Sequence, residues 1–265
     1  MMCIDYNRKV TILLSDPWFF AVAIPAVILF GISKSGFGGA FGAIAVPIMA
    51  LVISPVQAAG ILLPILCLMD LLGLWAYRGQ WVRSELRLLL PAALLGIGLG
   101  AALFGYLNAD IIRLIVGMVA LLFAVHYWRR LATPGPQEGP PLPPAAGIVS
   151  AGCAGFTSFI AHAGGPPLSM YLLRRPLGKT EFVATTVVFF AVVNYAKLVP
   201  YAWLGQLNAD NLTASLLLAP FAPVGIVMGM WLHNRVSERL FFRIACLFLF
   251  AVALKLIGDG FHGLF

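Results

Sequence analysis

Apolar residues run along this chain in long blocks, not in the alternation of a half-buried strand or the one-sided stripe of a surface helix. The blocks lie near Trp18–Ser33, Phe37–Ile53, Val56–Tyr77, Leu86–Leu107, Ile111–Trp128, Ala145–Ala161, Gly164–Leu173, Phe182–Leu204, Leu212–Leu232 and Leu240–Gly258. Most reach the roughly 17–25 residues that a helix needs to cross the hydrocarbon core of a bilayer. A backbone in lipid must satisfy its own hydrogen bonds, and within one segment only a helix does so. The pattern predicts an all-α polytopic membrane protein.

Composition removes the water-facing alternatives. Hydrophobic residues make up 61% of the chain and charged residues 10%, against about 25% charged in soluble domains. The net charge of +7 sits between apolar blocks, where it orients a membrane protein, so no nucleic-acid partner is implied. Cys3, Cys67, Cys153 and Cys246 are scattered, as are His126, His162, His233 and His262. Neither set has metal-ligand spacing, and neither a cofactor nor a resident metal is expected. No nucleophile and base constellation and no phosphate-binding loop occurs, which argues against an enzyme and against direct drive by ATP.

One polar, low-complexity stretch, TPGPQEGPPLPP, divides the chain into a first membrane repeat (1–130), a Pro/Gly-rich cytoplasmic linker (131–144) and a second membrane repeat (145–265). The halves match in order. Gly164-Gly165 stand 126 positions after Gly38-Gly39, and Ala202, Gly205 and Gln206 stand at the same offset from Ala76, Gly79 and Gln80. After a short insertion, Pro220, Gly225 and Gly229 answer Pro91, Gly96 and Gly100.

Basic charge flips between matched loops, present in one and absent from its counterpart. Arg78, Arg83 and Arg87 fill one loop whose counterpart at 204–212 has no basic residue. Conversely, Arg174, Arg175 and Lys179 answer the uncharged turn Ser54–Gln57. Basic loops stay cytoplasmic, so the halves are expected to be inserted in opposite orientations, with five segments each and both chain ends outside; Arg8 and Lys9 argue the other way for the N-terminal side. Glycines and prolines break the first two segments of each half. They predict a broken or re-entrant helical hairpin per half plus three transmembrane helices, with about eight full crossings.

The chemistry-bearing residues cluster at those breaks. Ser33-Lys34-Ser35-Gly36-Phe37-Gly38-Gly39 joins a positive charge, hydroxyls and glycines at a helix start, the pattern of an anion site. His162-Ala163-Gly164-Gly165 is the matching break, with Thr157 and Ser158 a turn before it. The substrate-binding expectation covers Lys34, Ser35, Gly36, Gly38, Gly39, His162, Gly164, Gly165 and Asn194; Asp70 and His162 are the proton-coupling candidates. Lys197 is expected to reach the membrane interface. Gln80 and Gln206 are read as loop closures.

Gly36-Phe37-Gly38-Gly39 with Pro47, then Pro55-Val56-Gln57-Ala58, then Ala163-Gly164-Gly165-Pro166-Pro167 resemble the TauE/SafE family of bacterial membrane proteins, over about Trp18 to Ile257. The resemblance implies a secondary transporter of the bacterial inner membrane, moving sulfite, sulfoacetate or another organosulfonate. His162-Ala163 stands where the family has a Gly-x pair. The expected function is alternating-access transport of a small anion linked to the proton motive force. A carrier or channel for a carboxylate or a metal ion is the alternative. The expected partners are the anion and the lipid bilayer, and a homodimer is left open.

Overall fold

The computed structural model describes residues 16–36, 42–104, 106–132, 142–233 and 238–264. All regular structure among them is helical. In chain order the elements are α1 (Pro17–Gly36), a 3-10 turn (Gly42–Ile44), α2 (Ala45–Met49), α3 (Pro55–Ala76), α4 (Arg83–Phe104) and α5 (Ala109–Ala132). The second half follows with α6 (Pro144–Ala161), α7 (Gly165–Leu172), α8 (Lys179–Trp203), α9 (Ala209–Leu218), α10 (Phe221–His233) and α11 (Glu238–Leu264). Gly38, Gly39 and residues 133–141 of the linker lie outside the described residues.

Local chemistry sets the ends. Ser54 caps α3 by accepting the Gln57 N–H at 3.1 Å, with Pro55 at the first helical position. Asn208 caps α9 through the Asn211 N–H at 2.9 Å. Glu181 reaches back to accept the Gly178 N–H ahead of α8 at 2.9 Å. Gly79 and Gly205, at matched positions after α3 and α8, both take positive φ (76° and 69°), which glycine does without steric cost.

Among the described residues seven helices are long and apolar enough to cross a membrane, and α9 with α10, bent by 46°, makes an eighth if the pair is counted as one span. The sequence predicts one segment across Leu212–Leu232. The break at Pro220 follows from its missing N–H, which cannot continue the ladder begun in α9. The predicted hairpins are present with unequal arms. α1 has 20 residues and α6 has 18, whereas α2 has 5 and α7 has 8. At about 1.5 Å per residue, neither short arm spans a core of about 30 Å.

The helices pack by exchange between halves. α4 of the first half lies against α6 of the second, and α10 of the second lies against α1 of the first. The equivalent pairs α3 with α8 and α5 with α11 meet each other. The repeated glycines make the exchange close. A Cβ on Gly96 would strike the Gly152 carbonyl oxygen, and one on Gly100 would lie 2.9 Å from the Phe159 ring. On the other side, a Cβ on Gly225 would sit 2.6 Å from the Ile28 carbonyl oxygen. Small residues thus let paired backbones approach, as membrane helix packing requires.

Loop contacts show which ends lie together. Arg175 Nε donates to Glu85 Oε1 at 2.7 Å, and the Val82 N–H donates to Thr185 Oγ1 at 3.0 Å. These join the 78–87 loop to the start of α8. At the far end of α3, Gly60 packs against the Gln206 carbonyl and the Asn211 amide. Gln206 itself closes its own loop, donating to the Leu204 carbonyl at 3.2 Å.

A Gly225→Leu variant is expected to lose about 2–3 kcal/mol by overpacking against α1. Gly98→Leu, where a Cβ meets nothing within 4 Å, is expected to leave melting unchanged or raise it. Thermal melting in lipid nanodiscs checks both, and equal melting of the two variants contradicts the packing account.

Candidate functional site

The last turn of α1 delivers Lys34 to the interior. Its ammonium donates to Asp70 Oδ1 at 2.5 Å and to the Leu66 carbonyl at 3.4 Å, both on α3. Asp70 is fully buried, and Lys34 keeps 11% of its side-chain area exposed. The second carboxylate oxygen of Asp70 accepts from Asn194 Nδ2 on α8 at 2.7 Å. One carboxylate therefore binds the ammonium of its own half and an amide of the other, which fixes its orientation.

The second half makes a pair at the equivalent place. His162 ends α6 in the left-handed conformation, φ 52°, and is the one non-glycine with positive φ among the described residues. That position usually belongs to glycine because a Cβ is strained there. The side chain is tied at both nitrogens. Nε2 lies 3.0 Å from the Ala59 carbonyl, and Nδ1 lies 2.8 Å from Lys197 Nζ. A carbonyl only accepts, so Nε2 carries the hydrogen and Nδ1 accepts from Lys197. The Lys197 amine also lies 3.0 Å from the Ser158 carbonyl and 3.0 Å from Ser158 Oγ. The Tyr201 ring stacks on His162 and its hydroxyl donates to the Phe159 carbonyl at 2.5 Å.

The expectation that Lys197 reaches the interface is corrected. Its side chain is fully buried. It projects from the inner face of α8, one turn after Asn194, and the end of α6 closes over it. The spacing of Asn194 and Lys197, three apart on one helix, already puts both on one face. That signal, rather than distance from the helix end, could have found it.

Between the two pairs lies a cavity of about 30 Å³, lined by Phe30, Lys34, Leu66, Ser158, His162, Gly165, Phe190 and Asn194. It has room for about one water molecule. Both broken hairpins, α3 and α8 contribute to its wall. The structure thus brings together Lys34, His162, Gly165 and Asn194, with Asp70 one contact behind.

Other expected residues take different places. Ser35 Oγ turns to the α10 side and donates to the Gly31 and Ile226 carbonyls (3.0 and 2.8 Å), joining two helices. Gly36 ends α1. A Cβ on Gly164 would lie 2.6 Å from the Ala154 carbonyl, so this glycine lets the chain turn tightly against α6. Pro166 and Pro167 open α7 without N–H groups, and Gly165, which keeps its own, lines the cavity. Thr157 ties the break together by donating to the Ala163 carbonyl at 3.1 Å. Ser158 faces the cavity.

The charges do not cancel. Lys34 and Asp70 neutralise each other, while the described partners of Lys197 are a carbonyl, a hydroxyl and an imidazole. With Lys197 protonated, the site holds one positive charge with no carboxylate of its own. Among the described residues no group of three or more His, Cys, Asp or Glu could hold a metal ion.

The model of the family described as Sulfite exporter TauE/SafE matches residues 23–256. No curated protein and no solved structure matches the chain.

Proposed function

We propose, from the premise that the chain belongs to the TauE/SafE sulfite exporter family, that it carries a small anion through the cavity between its two broken hairpins. The family is one of membrane transporters and not of enzymes, and this chain is a multi-pass membrane protein. The substrate class we assign is a small sulfur oxyanion, sulfite or a short organosulfonate, and the membrane is the bacterial inner membrane.

The observation that carries this reading is a fully buried lysine, Lys197, with no carboxylate among its described hydrogen-bond partners. Placing an ammonium in a lipid-shielded interior is costly, and a carrier of anions has a use for it. Lys34, held by Asp70, and His162, held by Lys197, bracket the cavity from opposite halves, and Asn194 and the Gly165 N–H supply further donors. An anion seated there would meet converging N–H groups and one net positive charge.

Alternating access is the mechanism we assign. Its basis is two halves of opposite orientation, for which two observations speak. Matched loops differ in basic charge, and basic loops 78–87 and 174–181 meet at one end while Gly60, in the first turns of α3, packs against 204–212 at the other. Rocking one half against the other about a fixed central site would open the cavity to each side in turn.

The test is uptake into proteoliposomes with labelled sulfite, thiosulfate, methanesulfonate, sulfoacetate and a carboxylate. Saturable uptake of at least one sulfur oxyanion, accelerated by the same anion on the far side, is the expected outcome. Uptake of none of them sinks the reading. Cysteines placed at Arg83 and Asn208 are expected to label from opposite faces of the membrane, and labelling from one face removes the inverted arrangement.

A further inference from the structure

The geometry points to Lys197 as the group that takes up a proton together with the transported anion, with the Ser158 hydroxyl as the hinge between the two events. This rests on the anion-carrier reading above and deepens it.

The argument begins with hydrogen-bond capacity. Lys197 Nζ has three described partners, at 3.0, 3.0 and 2.8 Å. Two of them only accept: the Ser158 carbonyl, and His162 Nδ1, whose ring has its hydrogen committed to Ala59. The third, Ser158 Oγ, can accept or donate. As an ammonium, Lys197 donates to all three. As a neutral amine, it donates to two and accepts the Ser158 hydroxyl hydrogen on its lone pair. Every contact survives in both states, and the change needs only a rotation of one hydroxyl.

Few of the neighbouring groups share that freedom. Asp70 faces an ammonium and an amide, both donors, and a hydrogen on either oxygen would meet an N–H group. A second proton on His162 would place an N–H against the Lys197 N–H groups. The charged and titratable groups that face Lys197 are His162 from the α6–α7 break, Asp70 and Cys67 from α3, and Lys34 from α1. Lys34 and Asp70 offset each other, so the arriving anion is what favours the ammonium form.

The same rotation serves the anion. When Lys197 is an ammonium, Ser158 Oγ accepts from it, and the hydroxyl hydrogen is free to point into the cavity that Ser158 lines. Protonation therefore supplies a positive charge and a donor together. When the amine is neutral, that hydrogen is drawn back to Lys197 and the cavity loses both. Proton and anion raise each other's affinity by the same factor, as linkage requires. They bind together and cross together, one proton per anion.

The experiment uses the full chain in proteoliposomes with labelled sulfite and with methanesulfonate, whose charge is fixed, and an internal pH dye. For wild type, uptake moves protons in the direction of the anion and falls as pH rises. Lys197→Met is expected to lower uptake at least about tenfold and to abolish the proton movement that accompanies the remainder. Ser158→Ala removes the hydroxyl that partners Lys197 in both states, of which the contact to the ammonium is the stronger, and also removes a donor to the anion. Its falling limb moves down by about half a pH unit or more, and the KM for methanesulfonate rises about tenfold. Proton movement at the wild-type ratio in Lys197→Met, or an unmoved limb in Ser158→Ala, overturns the assignment while leaving the carrier reading intact. Absence of uptake by wild type of every sulfur oxyanion in the panel above removes both.

Discussion

Replacing Asp70 with Ala is expected to lower anion uptake at least about a hundredfold and to cost about 3–5 kcal/mol of stability. The substitution leaves the Lys34 ammonium buried without its counter-charge and strips Asn194 of the acceptor 2.7 Å away. Stability and function separate in the double variant Lys34→Met with Asp70→Leu. Buried ion pairs replaced by apolar residues of like volume often lose nothing in stability, so this protein should melt near the wild-type temperature. It should still fail to transport, because the cavity has lost a donor and its fixed polar wall. Wild-type uptake by the double variant would show that the pair is structural only.

The second large effect concerns the strained cap. His162→Gly relieves a Cβ in the left-handed region, and His162→Ala keeps that strain, so the glycine variant should be the more stable of the two by about 1 kcal/mol. Both should lose uptake at least about a hundredfold, since the acceptor for Lys197 and the ring at the cavity wall go with the side chain. Melting curves and uptake on the two variants read this directly. A glycine variant that transports normally would mean that a family-like glycine serves as well as the histidine here.

Much of the fold could be read from the chain because lipid imposes so strong a rule. Each apolar block has to be a helix, and glycine or proline has to mark the breaks, so α1, α3 to α6, α8 and α11 follow with ends within six residues of those expected. The bend at Pro220 was open to the same reasoning, since a proline in mid-span carries no N–H. The site was legible in part. Lys34, Asp70, His162 and Asn194 stand out as polar groups in apolar surroundings, and they do converge. What composition could not convey is direction around a helix axis. Ser35 and Lys34 are neighbours in sequence yet face different partners, one toward α10 and one toward α3. Lys197 looks peripheral when measured along α8 and central when measured around it. Ser158 gains its interest only from the lysine beside it.

The exchange of helices between halves has a consequence for biogenesis. The groove on α1 that holds Gly31 and Ser35 is filled by α10, whose residues are made about two hundred positions later. A nascent chain leaving the ribosome must therefore keep that groove exposed to lipid or to an insertion factor until nearly the whole protein has been synthesised. Chains halted before residue 233 would hold every element of the first half in place and still lack the surface that closes it, and the membrane's quality-control proteases would meet them in that condition.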